Sequence, residues 1–473
     1  MDNSYLADLI SEQQNFANFR SKSFITDSIG IALPQRIIYS RLYGYFDEYL
    51  DSPKNPRWIT FTGVRGSGKT TLLFQLYNQI QSTDYYRLFL SLDHTHGLLG
   101  LSLSDVLAFY ETILGMNYEK LDKPLVLFID EAQYDPQWFL ILQGLLDRSE
   151  KIFIFVAGST ALRSATYIDP RYIQEVIYPV SSPEYIKITK QKFQIPGLGE
   201  SIRDAIFYSA DSETLYMALQ HIAPEVNTYY KWSLQSDFYR YFCYGSLPYL
   251  FSSWEESEIY EEVQRTIDRI LFRDLPVSRF HPETVSMIPN MLFDLAHMDH
   301  CNVKRMAEKF DLSRSKMSEI LDALESTELL RRIYPHGLYA NEVVSRKPSK
   351  YLFSTPIFRL IYSRLTSDII SDKQAKNKLT EDFVAMYLYR VFDTIGKWTL
   401  MYDSSHDGAD FVLTIDEISI IIQIWSWSNW PKKVLQSRKK IPSKYGIIIT
   451  ENQLAYDPKS GIISIPLRMF LLM

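Results

Sequence analysis

Hydrophobic and polar positions alternate along this chain in two rhythms. Between residues 58 and 158, short unbroken apolar runs recur: WITFT from Trp58, YRLFLSL ending at Leu92, LVLFID ending at Asp130 and IFIFVAG ending at Gly158. Runs of this length, rich in β-branched and aromatic residues, predict buried strands. Helically spaced stretches separate them, as where Leu72, Leu76 and Ile80 share one face. Strands alternating with helices predict an α/β fold, a parallel sheet covered on both faces. Upstream, apolar positions from Pro34 to Leu50 recur at helical spacing and the turn formers SPKN follow from Ser52, so residues 1–55 read as a helical arm. Beyond about residue 200 the text becomes helical and tyrosine-rich. The tail mixes helix with strands such as FVLTI from Phe411 and ISIIIQI from Ile418.

The chain's 473 residues are 46% hydrophobic, enough for about three domains with substantial cores. A net charge of -6 excludes a global basic field for nucleic acid, so any such contact must be local. Two cysteines, Cys243 and Cys301, lie far apart without CxxC spacing. That argues against a disulfide scaffold or a zinc site and predicts a reducing, cytoplasmic setting. The N-terminus carries no basic-then-apolar leader and no apolar run is long enough to span a bilayer, so no membrane partner is expected.

The strand at Trp58 runs into GVRGSGKTT, where Gly63, Gly68, Lys69 and Thr70 complete G-x-x-x-x-G-K-[ST]. Glycines let successive amides curl around phosphate, and the following helix N-terminus adds positive potential. Residues Gly63, Val64, Arg65, Gly66, Ser67, Gly68, Lys69, Thr70 and Thr71 therefore form the expected phosphate cradle for ATP. Lys69 reaches the β/γ-phosphates and the Thr70 hydroxyl takes a place on Mg²⁺. LVLFIDEAQ delivers Asp130 at a strand end, where it would hold the Mg²⁺. Glu131 follows as the candidate general base for the attacking water. The next strand ends in AGST, offering the hydroxyls of Ser159 and Thr160.

These stretches resemble the bacterial and archaeal AAA-type P-loop ATPases that carry a C-terminal domain of unassigned function. The resemblance covers nearly the whole chain. It rests on PQR before the first strand, GVRGSGKTTLL, SLD at Ser91 to Asp93, LFIDEAQ, AGSTALR and YPVSSPEY. Further along come YGSLPYL, SKYLF from Ser349 and LTEDFVAMYL from Leu379. It implies a P-loop core with a parallel sheet and helices on both faces (56–199), a helical lid (200–283), a winged helix-turn-helix (284–345) and a restriction-endonuclease-like α/β domain (346–473), which the residues described below make degenerate and predict to lack nuclease activity. Ser159 would be the sensor hydroxyl. Arg171, near the offset where the family has a Gly-Arg pair, would be an arginine finger for the same or a neighbouring subunit, and acting in trans it would require a homo-oligomer.

In the third region, VKRMAEKF, DLS and RSKMSEILDALES read helix, turn, helix, with Ser313 as N-cap. LLRRIYPHGLY then reads as a hairpin with Pro335 to Gly337 at its tip. On a duplex-DNA reading, Arg314 and Lys316 would start the recognition helix while Lys304, Arg305, Arg331 and Arg332 touch phosphates. The mixed charge of Glu319, Asp322 and Glu325 favours packing or protein contact instead. In the tail, Asp410 stands where a nuclease carboxylate should, but Gln423-Ile424-Trp425 replaces Glu-x-Lys, and Lys432 and Lys433 lie beyond a turn. Ser354 and Thr355 stand where the family often has an Asp. The tyrosines from Tyr229 to Tyr244 read as lid packing, and the pairs His94/His96 and His297/His300 as solvated or structural. The sequence therefore points to an ATPase that hydrolyses ATP for a protein or DNA client. The alternatives are a slow nucleotide-gated DNA- or protein-binding switch, and a nuclease.

Overall fold

The structure, a computed structural model, describes residues 3–26, 30–52, 56–81, 83–159, 169–190, 195–232, 235–253, 255–275, 280–337, 347–363, 372–393, 396–425 and 430–473. They fall into two compact units, residues 1–178 and 179–473.

Unit 1 is built on five parallel strands: β1 (Trp58–Thr62), β2 (Tyr86–Ser91), β3 (Leu125–Asp130), β4 (Ile152–Ala157) and β5 (Tyr172–Val176). Their order is β2-β3-β4-β1-β5. β1, β3 and β4 are buried at every position, which is why their sequences read as continuous apolar runs. The two-residue side-chain period then sorts these runs into two cores. Trp58, Leu127, Ile129, Ile154 and Val156 pack on one face with the helices Leu103–Leu114 and Trp138–Arg148. Ile59, Phe61, Phe128, Phe153 and Phe155 pack on the other with the helices Tyr39–Asp51 and Lys69–Gln79. The expected N-terminal arm is part of this packing. The helix Asn3–Ile25 lies along β2, burying Leu6, Leu9 and Ile10, and Gln14 donates to the Phe89 carbonyl at 3.0 Å. An edge strand is thereby covered.

Unit 2 opens with helices, among them Leu198–Tyr208, Ser212–Trp232, Gln235–Tyr244 and Glu256–Arg269. Its sheet has eight strands: β6 (Leu330–Pro335), β7 (Lys350–Phe353), β8 (Trp398–Tyr402), β9 (Phe411–Ile415), β10 (Ile418–Ile424), β11 (Gly446–Thr450), β12 (Ala455–Asp457) and β13 (Ile462–Pro466). The order is β12-β13-β11-β10-β9-β8-β6-β7, with parallel and antiparallel pairs mixed. Asp416 and Glu417, both left-handed at φ 44 and 74, close the tight β9–β10 hairpin. The helix Lys373–Phe392 is buried along most of its length, which explains why its sequence lacks a clear polar face.

The helix-turn-helix forms as expected from Val303–Lys309 and Arg314–Ser326, and the Ser313 hydroxyl accepts from the Lys316 amide at 3.1 Å. The hairpin differs from expectation. The return strand of β6 is β7, beginning at Lys350, and the far end of β6 pairs with β8 instead of turning back at Pro335 to Gly337. The LLRRIY segment was long enough to serve two neighbours. Among the described residues no single helix is long and apolar enough to cross a membrane. Both cysteines are free and buried.

Candidate functional site

The parallel register sets the C-terminal ends of the unit 1 strands side by side. Ser91 pairs with Asp130 across β2 and β3, Ile129 with Val156 across β3 and β4, and Phe61 with Ala157 across β4 and β1. Gly63, Asp130 and Ser159 therefore emerge from one edge of the sheet. The sequence placed them there as an expectation, and the strand order brings them together.

Gly63, Gly66 and Gly68 hold positive φ values of 151, 88 and 95. A Cβ on Gly63 would sit 2.3 Å from the Ile177 carbonyl oxygen, so the loop accepts no side chain there. Lys69 opens the following helix and donates to the carbonyls of Gly63 at 2.8 Å and Val64 at 3.2 Å. Arg36, from the PQR stretch, is buried and donates to the carbonyls of Ser67 at 2.6 Å and Tyr178 at 2.9 Å, clamping the loop from behind.

Opposite the loop, the Thr70 hydroxyl donates to Asp130 Oδ2 at 3.0 Å. Burial pushes the Asp130 carboxyl up to about 7, with Glu131 adding to the rise and Thr70 and Lys69 opposing it. Asp93 is a further acid raising the same carboxyl. It is bonded to Ser91 at 2.6 Å and was visible in the sequence only as part of SLD. Glu131 sits in the left-handed region at φ 54. Gln133 donates to its Oε2 at 2.5 Å, and Arg65 lies 3.9 Å from its Oε1. The hydroxyls of Ser67 and Ser159 are buried without a hydrogen-bond partner among the described residues. Orphaned polar atoms at a glycine cradle fit a phosphate-bearing ligand, and the Thr70–Asp130 pair fits Mg²⁺. Thr71 continues the helix behind them, and Thr160 lies outside the described residues.

Arg171 is placed elsewhere. It precedes β5, whose Tyr172 pairs with Trp58 at the start of β1, while Gly63 follows the end of β1. Five strand residues, about 16 Å, separate the two edges. There Arg171 bonds Asp169 at 2.6 and 2.8 Å and Asp147 at 2.6 Å, holding the Asp169 carboxyl down to about 2. The structure does not bring it to the P-loop of its own chain.

Unit 2 holds its own buried charges. Lys350 Nζ donates to Glu381 Oε2 at 2.7 Å and lies 3.6 Å from Asp410 Oδ1. Gln423 Nε2 donates to Asp410 Oδ2 at 2.5 Å, and the Ile424 amide to the same oxygen at 2.9 Å. These groups and Lys433 line a cavity of about 270 Å³. Burial works against the ionised Glu381, and Lys350 and Lys378 overcome it, leaving the carboxyl below its ordinary value. Burial raises Asp410 despite Lys350. Trp425 instead lines a neighbouring cavity of about 480 Å³ with Phe238, Tyr239 and Arg468. Ser354 and Thr355 are buried, and Thr355 bonds Ser246 at 2.5 Å.

Two of the proposed phosphate contacts in the helix-turn-helix region are corrected. Arg331 is stacked 4.1 Å over the Tyr389 ring, and Arg332 bonds Asp322 and lies 5.2 Å from the Tyr351 ring. With 12% and 13% of their side chains exposed, both are committed inside unit 2. Lys304, Arg305 and Arg314 are exposed, while Lys316 bonds Glu319 at 3.0 Å. Of the tyrosines from Tyr229 to Tyr244, Tyr241 is buried and shares a hydroxyl contact of 2.9 Å with Tyr387, which donates to the Leu471 carbonyl, while Tyr239 is exposed.

Residues 55–186 match the AAA domain family, and residues 235–355 match a domain family of unknown function. Unit 1 carries a P-loop NTPase fold. An uncharacterized protein of Methanocaldococcus jannaschii is 29% identical over 442 residues, spanning 91% of this chain and 89% of that protein. Among solved structures, C. elegans PCH-2 matches at TM-score 0.27 and 14% identity, over 60% of this chain and 67% of its own. The Thermotoga maritima RuvB Holliday junction branch migration motor matches at 0.26 and 15%, over 63% and 90%. The replication initiator DnaA bound to AMPPCP and single-stranded DNA matches at 0.25 and 13%, over 60% and 87%. The strand order and the loop geometry, not these distant likenesses, define the fold. The AAA match over the P-loop supports an AAA-type ATPase.

Proposed function

We propose that unit 1 binds Mg-ATP, hydrolyses it to ADP and phosphate, and couples the reaction to a protein or DNA client. One observation carries the reading: the Thr70 hydroxyl meets the buried Asp130 carboxylate at 3.0 Å in front of a glycine cradle, with Glu131 the next residue. The amides of the loop and Lys69 bind phosphate. Thr70 and Asp130 would hold Mg²⁺, which when bound neutralises charge on the transferring phosphoryl group. Glu131 takes the proton of the attacking water, and the free Ser159 hydroxyl offers a hydrogen bond beside it. Arg171, held at the opposite edge, serves as a finger only for a neighbouring copy. In unit 2 the fixed ammonium of Lys350 and the uncharged Gln423 support a pocket that does not cleave nucleic acid.

Steady-state phosphate release tests this, comparing the native chain with Glu131→Gln, with and without duplex DNA. Turnover is expected in the native chain and lost in the variant. Undiminished turnover in Glu131→Gln would remove the assigned base. DNA stimulation would identify the client as DNA, which the exposed Lys304, Arg305 and Arg314 favour.

A further inference from the structure

Glu131 occupies a backbone conformation that a residue with a Cβ adopts at a cost of about 1 kcal/mol or more. Something must hold it there. Part of the restraint is a short turn over Ala132–Tyr134, in which the Tyr134 amide donates to the Glu131 carbonyl at 3.1 Å. Asp135 anchors the turn by accepting from the amides of Leu103 at 2.8 Å and Gln137 at 2.9 Å. These contacts fix the main chain and leave the Glu131 carboxylate to swing.

The side chain of Gln133 takes up that freedom. Its Nε2 donates to Glu131 Oε2 at 2.5 Å, while its Oε1 accepts from the Ser159 amide at 3.1 Å. The chemistry leaves no choice of orientation, since a carboxylate only accepts and a main-chain N–H only donates. One planar amide therefore spans the end of β3 and the end of β4, on strands that are direct neighbours. It does so beside a Ser159 hydroxyl that is buried without a hydrogen-bond partner among the described residues.

We propose that Gln133 is a positioning residue: it holds the Glu131 carboxylate in register with the Ser159 main chain, so that base and hydroxyl address the same reacting group. The role rests on the reading of Glu131 as the general base. Only a carboxamide of this length supplies donor and acceptor together. Leucine supplies neither, and glutamate keeps the acceptor for Ser159 but sets a like charge against Glu131.

The test is single- and multiple-turnover ATP hydrolysis by the full chain. In Gln133→Leu, kcat is expected to fall about 10²-fold with KM within about twofold, because a displacement on the order of 1 Å at a reacting group costs that much without touching binding. Gln133→Glu should fall at least as far. In the Glu131→Gln background, Gln133→Leu should add nothing, since a residue acting through Glu131 has nothing left to position. A native kcat in Gln133→Leu overturns the proposal, as does a rise in KM that accounts for the loss, or full additivity in the double variant. If Glu131→Gln alone keeps native turnover, the base assignment fails first, and the positioning role fails with it.

Discussion

Asp130 in unit 1 and Asp410 in unit 2 are both buried carboxylates at strand ends, and burial raises the proton affinity of both. Their surroundings differ in one respect. Asp130 faces a hydroxyl and a further acid, and Lys69 is turned to loop carbonyls. Asp410 has an ammonium at 3.6 Å, tethered to its own chain and shared with Glu381. The first arrangement leaves room for the diffusible cation of the proposed reaction; the second carries its cation permanently. A buried acid by itself therefore does not mark a metal centre. What matters is whether the fold supplies the counter-charge.

Three experiments bear on that contrast, and a fourth on the exposed and buried arginines of unit 2. The largest effect is expected from Asp130→Asn, which removes the carboxylate proposed to hold Mg²⁺. Turnover should fall about 10³-fold, the loss of several kcal/mol of charge stabilisation, while nucleotide without Mg²⁺ still binds. Nearly as large, Lys350→Met should destabilise unit 2 by roughly 3–5 kcal/mol, because Glu381 and Asp410 lose the one ammonium that both face, with Lys378 and Lys433 compensating only in part. Denaturant unfolding would read this, and adding Glu381→Gln with Asp410→Asn should restore much of the loss. If Lys350→Met unfolds like the native chain, the tethered-cation account is wrong.

A smaller effect is expected from pH. The proton-bound form of Asp130 is favoured below about 7, so on the proposed reading Mg²⁺ would have to displace a proton there. The Mg²⁺ concentration for half-maximal turnover should rise by up to about tenfold per pH unit below that point and level off above it. A flat Mg²⁺ requirement from pH 6 to 8 would show that Asp130 is not what the metal titrates. The smallest effect concerns DNA. If duplex DNA binds unit 2, Arg314→Glu should lower the slope of log affinity against log salt by about one, while Arg331→Met should leave it unchanged.

The P-loop and the Asp130–Glu131 pair were legible in the sequence because each is a local motif at the end of an apolar strand, whereas Arg171 read as a further site residue and lies at the other edge. Gln133 was printed within LFIDEAQ, but its partner Ser159 lies 26 residues on, and nothing in one sequence reports that β4 sits beside β3. Arg331 and Arg332 read as solvent-facing cations. Their burial depends on Tyr389 and Tyr351, aromatic partners supplied by later segments. The same holds for Lys350, whose partners Glu381 and Asp410 come from a helix and a strand end further along. Long-range charge pairing has no period, so hydrophobic rhythm reveals the elements and not these contacts.

The strand β6 has hydrogen-bonded neighbours on both sides, β7 and β8, and each is made by residues after 345. A chain ended at that point would keep both helices of the helix-turn-helix yet leave β6 with two bare edges, an open template for association with other chains. This region is therefore not a self-contained cassette, because its sheet is completed only by strands that follow residue 345.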